Sequence, residues 1–120
     1  MALNMSGLQA FRAGLPDAVD RGEERAAGYV ADLASQLAPY DETADHKHLN
    51  ESIVAERKPE GGGWQVVAGR GLPDIRAVVQ EYGSIDQEAQ PYLIPAATEI
   101  DVKAEIAKEI AALAARSRIK

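Results

Sequence analysis

At 120 residues the chain has room for one domain with a single modest core. Its 46% apolar content leans on alanine, with only 5% aromatic residues, so little area is buried per residue and association is a ready source of further stability. The absence of cysteine excludes a disulfide framework, a thiolate metal site and cysteine catalysis, and a formal charge of −6 argues against gripping nucleic acid through phosphate contacts.

An acidic surface suits plain solubility, the simpler reading, and would also suit a surface that DNA slides past without sticking. No apolar run approaches the ~20 residues a membrane span needs. The start, Met1-Ala2-Leu3-Asn4-Met5, lacks the basic flank and long apolar core of a signal peptide, so synthesis in the cytoplasm is expected.

Leu3, Leu8, Phe11 and Leu15 form a short periodic lead-in that Gly14 and Pro16 interrupt. Pro16 suits the first turn of a helix, with Asp17 beside the positive end of the dipole. From there Val19, Ala26, Val30, Leu33 and Leu37 recur at helical spacing, and Asp20, Glu23, Glu24, Arg25 and Asp32 take the other faces. Pro39 ends the helix. Gly22 and Gly28 each weaken it by about 1 kcal/mol relative to alanine, which points to close packing against a neighbour.

The middle of the chain changes period. Tyr40 to Lys47 is polar and reads as a loop, and Leu49 to Lys58 is β-compatible around Ile53 and Val54. Glu60-Gly61-Gly62-Gly63 breaks that run and Trp64 to Gly69 resumes it, which predicts a hairpin. Arg70-Gly71-Leu72-Pro73-Asp74 is the next turn. Ile75, Val78, Val79 and Tyr82 suit one short helix, with a strand over Ala77 to Glu81 as the open alternative, and Gly83 stops the element either way.

Pro95 can open the last helix, where Ile100, Val102, Ile106, Ile110 and Leu113 make a narrow apolar stripe among alanines. Glu99 and Lys103 sit four apart in the favourable order, and Arg116, Arg118 and Lys120 complement the negative end of the dipole. The run is too short for the sustained heptads of a coiled coil. Helix, strands, helix in that order make a single α+β domain over residues 1–120: a long N-terminal helix, a small antiparallel sheet with a hairpin, and a C-terminal helix.

Chemistry-bearing patterns are sparse. His46 and His48, with Asp45 and Glu51 nearby, are the only cluster of metal-ligand types, and a third ligand is undefined; solvated histidines are the simpler reading. Gly61-Gly62-Gly63 is no phosphate loop, because no Gly-Lys-Ser or Gly-Lys-Thr follows and the glycines lead into a strand. A mobile tip beside Trp64, the sole tryptophan, could serve as an interaction finger. Carboxylate pairs such as Glu23-Glu24, Asp41-Glu42 and Glu56 with Glu60 lack a partner that would separate their pKa values. Ser52, His48 and Asp45 can be drawn as a triad, but nothing marks a nucleophile elbow or an oxyanion hole. No catalysis, metal or cofactor is expected.

The richest stretch is Glu81-Tyr82-Gly83-Ser84 followed, after a polar loop, by Gln90-Pro91-Tyr92-Leu93-Ile94-Pro95-Ala96-Ala97. Two prolines bracketing Tyr-Leu-Ile make a rigid apolar hook that docks with little entropy loss, and proline blocks runaway pairing at a strand edge. Tyr82, Gly83, Pro91, Tyr92, Leu93, Ile94 and Pro95, with Trp64, are therefore the candidate interface residues. The competing reading gives these residues an intramolecular role, packing the sheet onto the C-terminal helix.

The ordered set of a long helix ending in Leu37-Ala38-Pro39, then His48-Leu49-Asn50-Glu51-Ser52-Ile53, then Glu81 to Ser84 and Gln90 to Ala96, resembles the tail-completion and head–tail joining proteins of long-tailed phages. The resemblance runs from about Val19 to Leu113 and rests on a Gly-or-His, Leu, polar, polar, Ser, Ile segment, a Glu-aromatic-Gly-Thr turn and a Gln-Pro-aromatic-Leu-Arg-Pro-Ala signature. Ser84 stands for the threonine, Tyr92 for the usual phenylalanine, and Ile94 for the arginine, which removes a charge. The resemblance implies an α+β domain assembled as a homo-oligomeric ring, commonly a hexamer, in the virion neck. There it would meet head-completion or stopper proteins and tail terminator or tail-tube proteins, with DNA passing through the channel and no catalysis. A tail terminator ring capping the tube is the nearest alternative, and a small acidic cytoplasmic protein-binding module is the alternative from another class.

Overall fold

A computed structural model describes residues 5–39, 48–72 and 76–117. The element order is α1 (Met5–Leu37), a single 3-10 turn (Leu49–Ser52), β1 (Val54–Arg57), β2 (Trp64–Val67), α2 (Arg76–Tyr82), α3 (Leu93–Glu99) and α4 (Val102–Arg116). This is the expected α+β arrangement of long helix, two-stranded antiparallel hairpin and C-terminal helix, with α4 packed on α1. The chain divides into two compact units, one made of residues 1–26 and 101–120 and the other of residues 27–100.

In the first unit, α1 is continuous through Pro16, which lies inside the helix rather than opening it. An interior proline forgoes one backbone hydrogen bond and costs about 3 kcal/mol, so this stretch depends on its packing. Ala18 is fully buried, and α4 approaches so closely at Gly22 that a Cβ there would stand 2.5 Å from the Ile106 Cα. Gly22 thus has the packing role its helix-weakening presence suggests. Gly28 does not, since nothing lies within 4 Å of where its Cβ would be.

Two carboxylates of α4 face α1. The Glu109 carboxylate accepts from Arg25 and, at 3.4 Å, from the Arg21 Nε, while Glu105 pairs with Arg25 at 3.9 Å and accepts from the Lys108 Nζ at 3.0 Å. Arg25, by hydrogen bond and charge, and Arg21 beside it hold the Glu109 carboxyl below its usual range against the opposing effect of burial.

The C-terminal helical pattern divides into two helices. The backbone at Ile100 is extended, and Asp101 serves as the N-cap of α4 by accepting from the Ala104 amide at 3.1 Å. Glu99 and Lys103 therefore lie on different helices and do not form the expected pair along one face. Ile100 packs on the core of the second unit, while Leu113 is buried in α4. Arg116 lies in the last turn, as expected; Arg118 and Lys120 are outside the described residues, as are Leu3, the loop from Tyr40 to Lys47, and Pro73, Asp74 and Ile75.

The second unit is built around Val30, Ala31 and Ala34 of α1, Leu49 and Ile53, and Tyr92 and Ala96 of α3. The 3-10 turn replaces the start of the anticipated strand, because Ser52 is pinned. Its fully buried hydroxyl donates to the Leu49 carbonyl at 2.5 Å and accepts from the Gly69 amide at 3.0 Å. The hairpin pairs Val54 with Val67 and Arg57 with Trp64, and Gly61, Gly62 and Gly63 all take positive φ in its connection. Ala55 and Val66 face the core across this register.

Candidate functional site

α2 is the short helix anticipated from its spacing, not the alternative strand, and Gly83 ends it with φ +79°. A Cβ at Gly83 would also meet the Ala89 amide and the Gln87 carbonyl at 3.0 Å, so glycine is required there twice over. The Gly83 amide donates to the Val79 carbonyl at 2.7 Å, and the Gln90 amide donates to the Gln80 carbonyl at 2.7 Å. The chain thus leaves α2 and returns to it within a single loop.

That return brings α3 to Glu81. The Glu81 Oε1 accepts from the amides of Tyr92 at 3.0 Å and Leu93 at 2.7 Å, and its Oε2 accepts from the Ile94 amide at 3.3 Å. The first turn of a helix leaves its amides without intrahelical acceptors. Here Glu81 takes three, Pro95 has none to satisfy, and the Ala96 amide reaches the Tyr92 carbonyl at 3.4 Å. A carboxylate at the positive end of a helix dipole is favourable in its own right.

Tyr92 corrects the hook reading. It is 1% exposed, sits in the core and donates its hydroxyl to the Ala77 carbonyl at 3.0 Å. Burial first, and the Glu81 charge second, push its pKa up to about 12. Leu93 is partly buried against the same core, and Pro95 is half-buried. A docking hook would leave this aromatic outside; its hydrogen bonds to Glu81 and Ala77 of α2 hold it inward instead. The remaining candidates divide as follows: Tyr82 is 69% exposed, Ile94 is 53% exposed, Pro91 is exposed and Gly83 half-buried.

No family model, curated protein or solved structure matches this chain.

Two further large apolar side chains of this segment are exposed: Val78, one turn before Tyr82 on α2, and Ile85, which stands fully clear of the protein. Every charged residue from Ala77 to Asp101 is acidic. Trp64 is half-buried with the Arg57 guanidinium 4.7 Å above its ring, a cation–π contact at the base of the hairpin connection.

The chemical alternatives fare differently. His46 and Asp45 lie outside the described residues, and among the described residues no group of three or more His, Cys, Asp or Glu could hold a metal ion. Ser52, drawn above as a nucleophile, has its hydroxyl committed to Leu49 and Gly69. Among the described residues no helix is long and apolar enough to cross a membrane.

The residue that sequence reasoning missed is Glu81, quoted in the motif without a role. Its signal is in the chain: Gln90-Pro91-Tyr92 puts no Ser, Thr, Asp or Asn at the start of α3, so that helix must take its cap from elsewhere.

Proposed function

We propose that the chain is a structural protein of the virion, one that assembles as a sixfold ring at the head–tail interface, joins or completes the tail and lets DNA pass. The observation that carries this reading is the way Glu81 fastens the two halves of the signature, Glu81 to Ser84 and Gln90 to Ala97, while Tyr82 and Ile94 remain exposed on either side of the fastening. A carboxylate-fixed frame holds an apolar surface ready to dock, so little ordering entropy is lost on contact.

Large exposed apolar side chains clustered on one segment mark an interaction surface more than a catalytic one. The ring reading gives that surface an occupant and gives the net charge of −6 a use along a DNA passage. The head–tail assignment itself rests on the resemblance of the ordered motifs. On this reading the chain performs no chemistry and takes no cofactor.

The test is removal of this chain from cells producing the particles. Negative-stain microscopy is expected to show packaged heads and finished tails that remain unjoined. Joined particles at ordinary yield overturn the proposal.

A further inference from the structure

Among the described residues, two exposed surfaces are opposite in charge. On α2, the following loop and α3, Val78, Tyr82, Ile85 and Ile94 are exposed in a stretch whose charges, after Arg76 at the start of α2, are all negative, with Asp86 and Glu88 exposed in the loop. On α4, the acids Glu105 and Glu109 are turned toward Arg21 and Arg25 of α1, with side chains 11% and 10% exposed. The outer face of that helix carries Lys103 and Arg116, together with Lys108, which also reaches back to Glu105; all three are exposed, and the helix has no exposed acid. In a chain of net charge −6 this is a concentrated basic strip. Between those charges the exposed residues are Ala107, Ala111, Ala112 and Ala115, with half-exposed Val102 at the start. Alanines let another surface approach the helix axis, and the lysine stems supply apolar cover beside them.

We propose that the apolar, acid-flanked surface of α2 and α3 docks on the outer face of α4 of a second copy. This inference rests on the ring reading above and names the two faces that meet. The contact is heterologous: each copy offers both faces, so each can bind two neighbours, and such contacts make a ring where the rotation between copies closes. Charge complementarity selects the occupant. The α2–α3 surface repels its own kind through Asp86 and Glu88, and the α4 face repels its own kind through its lysines and arginine, so only the crossed pairing is attractive. Pairing of this sort is also weakened by salt.

Sedimentation velocity on four samples at equal total concentration tests it: wild type, Tyr82→Lys with Ile94→Lys, Lys103→Glu with Arg116→Glu, and an equimolar mixture of the two variants. The substituted side chains are exposed, and far-UV circular dichroism checks that each variant keeps its helices. Where a pair perturbs folding, Ile85→Lys and Ala111→Glu replace it at fully exposed or exposed positions on the same faces.

Wild type is expected to show species above the monomer that diminish with added salt. Each variant alone is expected to lose them, since it sets like charge against like. The mixture is expected to regain them, because a wild-type surface then meets a wild-type α4 and a lysine-bearing surface meets a glutamate-bearing α4. If the Lys103→Glu, Arg116→Glu variant assembles as wild type does, or if the mixture of folded variants stays monomeric, the crossed contact is wrong while the ring reading stands. A wild type that is monomeric at every concentration overturns the ring reading, and this contact with it.

Discussion

Replacing Glu81 with alanine takes away the acceptor for three amides at once, those of Tyr92, Leu93 and Ile94. A hydrogen bond to a charged group contributes about 1.5–3 kcal/mol net. The three do not count equally. The Tyr92 amide belongs to a residue 1% exposed and finds no water in exchange, the Leu93 amide is partly covered, and the Ile94 amide, bonded at 3.3 Å on a half-exposed residue, can turn to solvent. Counting the first fully, the second by half and the third as replaced gives about 3 kcal/mol, a large part of the ~5–15 kcal/mol that holds a domain together. With a urea m-value near 2 kcal/mol/M, the unfolding midpoint followed by far-UV circular dichroism is expected to fall by about 1.5 M. Glu81→Gln keeps one oxygen and is expected to fall in between. Hydrogen exchange locates the effect, with protection lost first at Tyr92 and Leu93. A midpoint shift below about 0.5 M, with those amides still protected, refutes the capping role.

Gly22→Ala and Gly28→Ala should move stability in opposite directions: the first drives a Cβ into the Ile106 backbone at 2.5 Å and should cost about 1–3 kcal/mol, whereas the second meets nothing within 4 Å and should gain about 0.5–1 kcal/mol from helix propensity, both read from urea midpoints. Tyr92, raised to about 12 by burial, contributes stability that is fully present below the unfolded tyrosine value near 10 and is lost as pH rises toward 12; Tyr92→Phe should flatten that alkaline limb and cost about 1 kcal/mol at neutral pH, because the Ala77 carbonyl loses its donor. Glu109, lowered by its hydrogen bond to Arg25, contributes stability that is present above the ordinary carboxylate range and lost as pH falls through the lowered value. Acid titration of helix content in Glu109→Gln should therefore be shallower than in wild type, and an unchanged acid limb would show that the pair with Arg25 is not what sets it.

The sequence disclosed the elements better than their ends. The glycine-rich break between two β-compatible runs located the hairpin, because turn chemistry is local. Pro16 was misread for the opposite reason: its local preference for a first turn is overridden by packing of α1 on α4, around Gly22 and Ile106, which no short window contains. The apolar period from Ile100 to Leu113 concealed the break at Ile100 and Asp101, since Ile100 serves the core of one unit and the helix that Asp101 caps belongs to the other. At the candidate surface, Tyr82 and Ile94 are exposed as an interface needs, while Tyr92 is buried. What separates them is contact with Ala77 and Glu81, fifteen and eleven positions before Tyr92.

The two short motifs are one device, which decides how substitutions in them should be read. α3 starts without a cap of its own, so its amides are satisfied only when Glu81 arrives from α2. Glu81 arrives only because Gly83, at φ +79°, lets the chain reverse and because the Gln90 amide closes the loop on Gln80. Pro95 removes the one amide that Glu81 does not reach and thereby makes three acceptances sufficient. Tyr82 follows Glu81 directly and Ile94 donates its amide to it, so the side chains that face outward are set in place by the carboxylate that faces inward. A change at Glu81, Gly83 or Tyr92 consequently alters the frame, and lost assembly in such a variant says little about docking unless folding is measured beside it. A change at Tyr82 or Ile94 leaves every hydrogen bond of the frame in place, and lost assembly there, with the helices intact, isolates the surface.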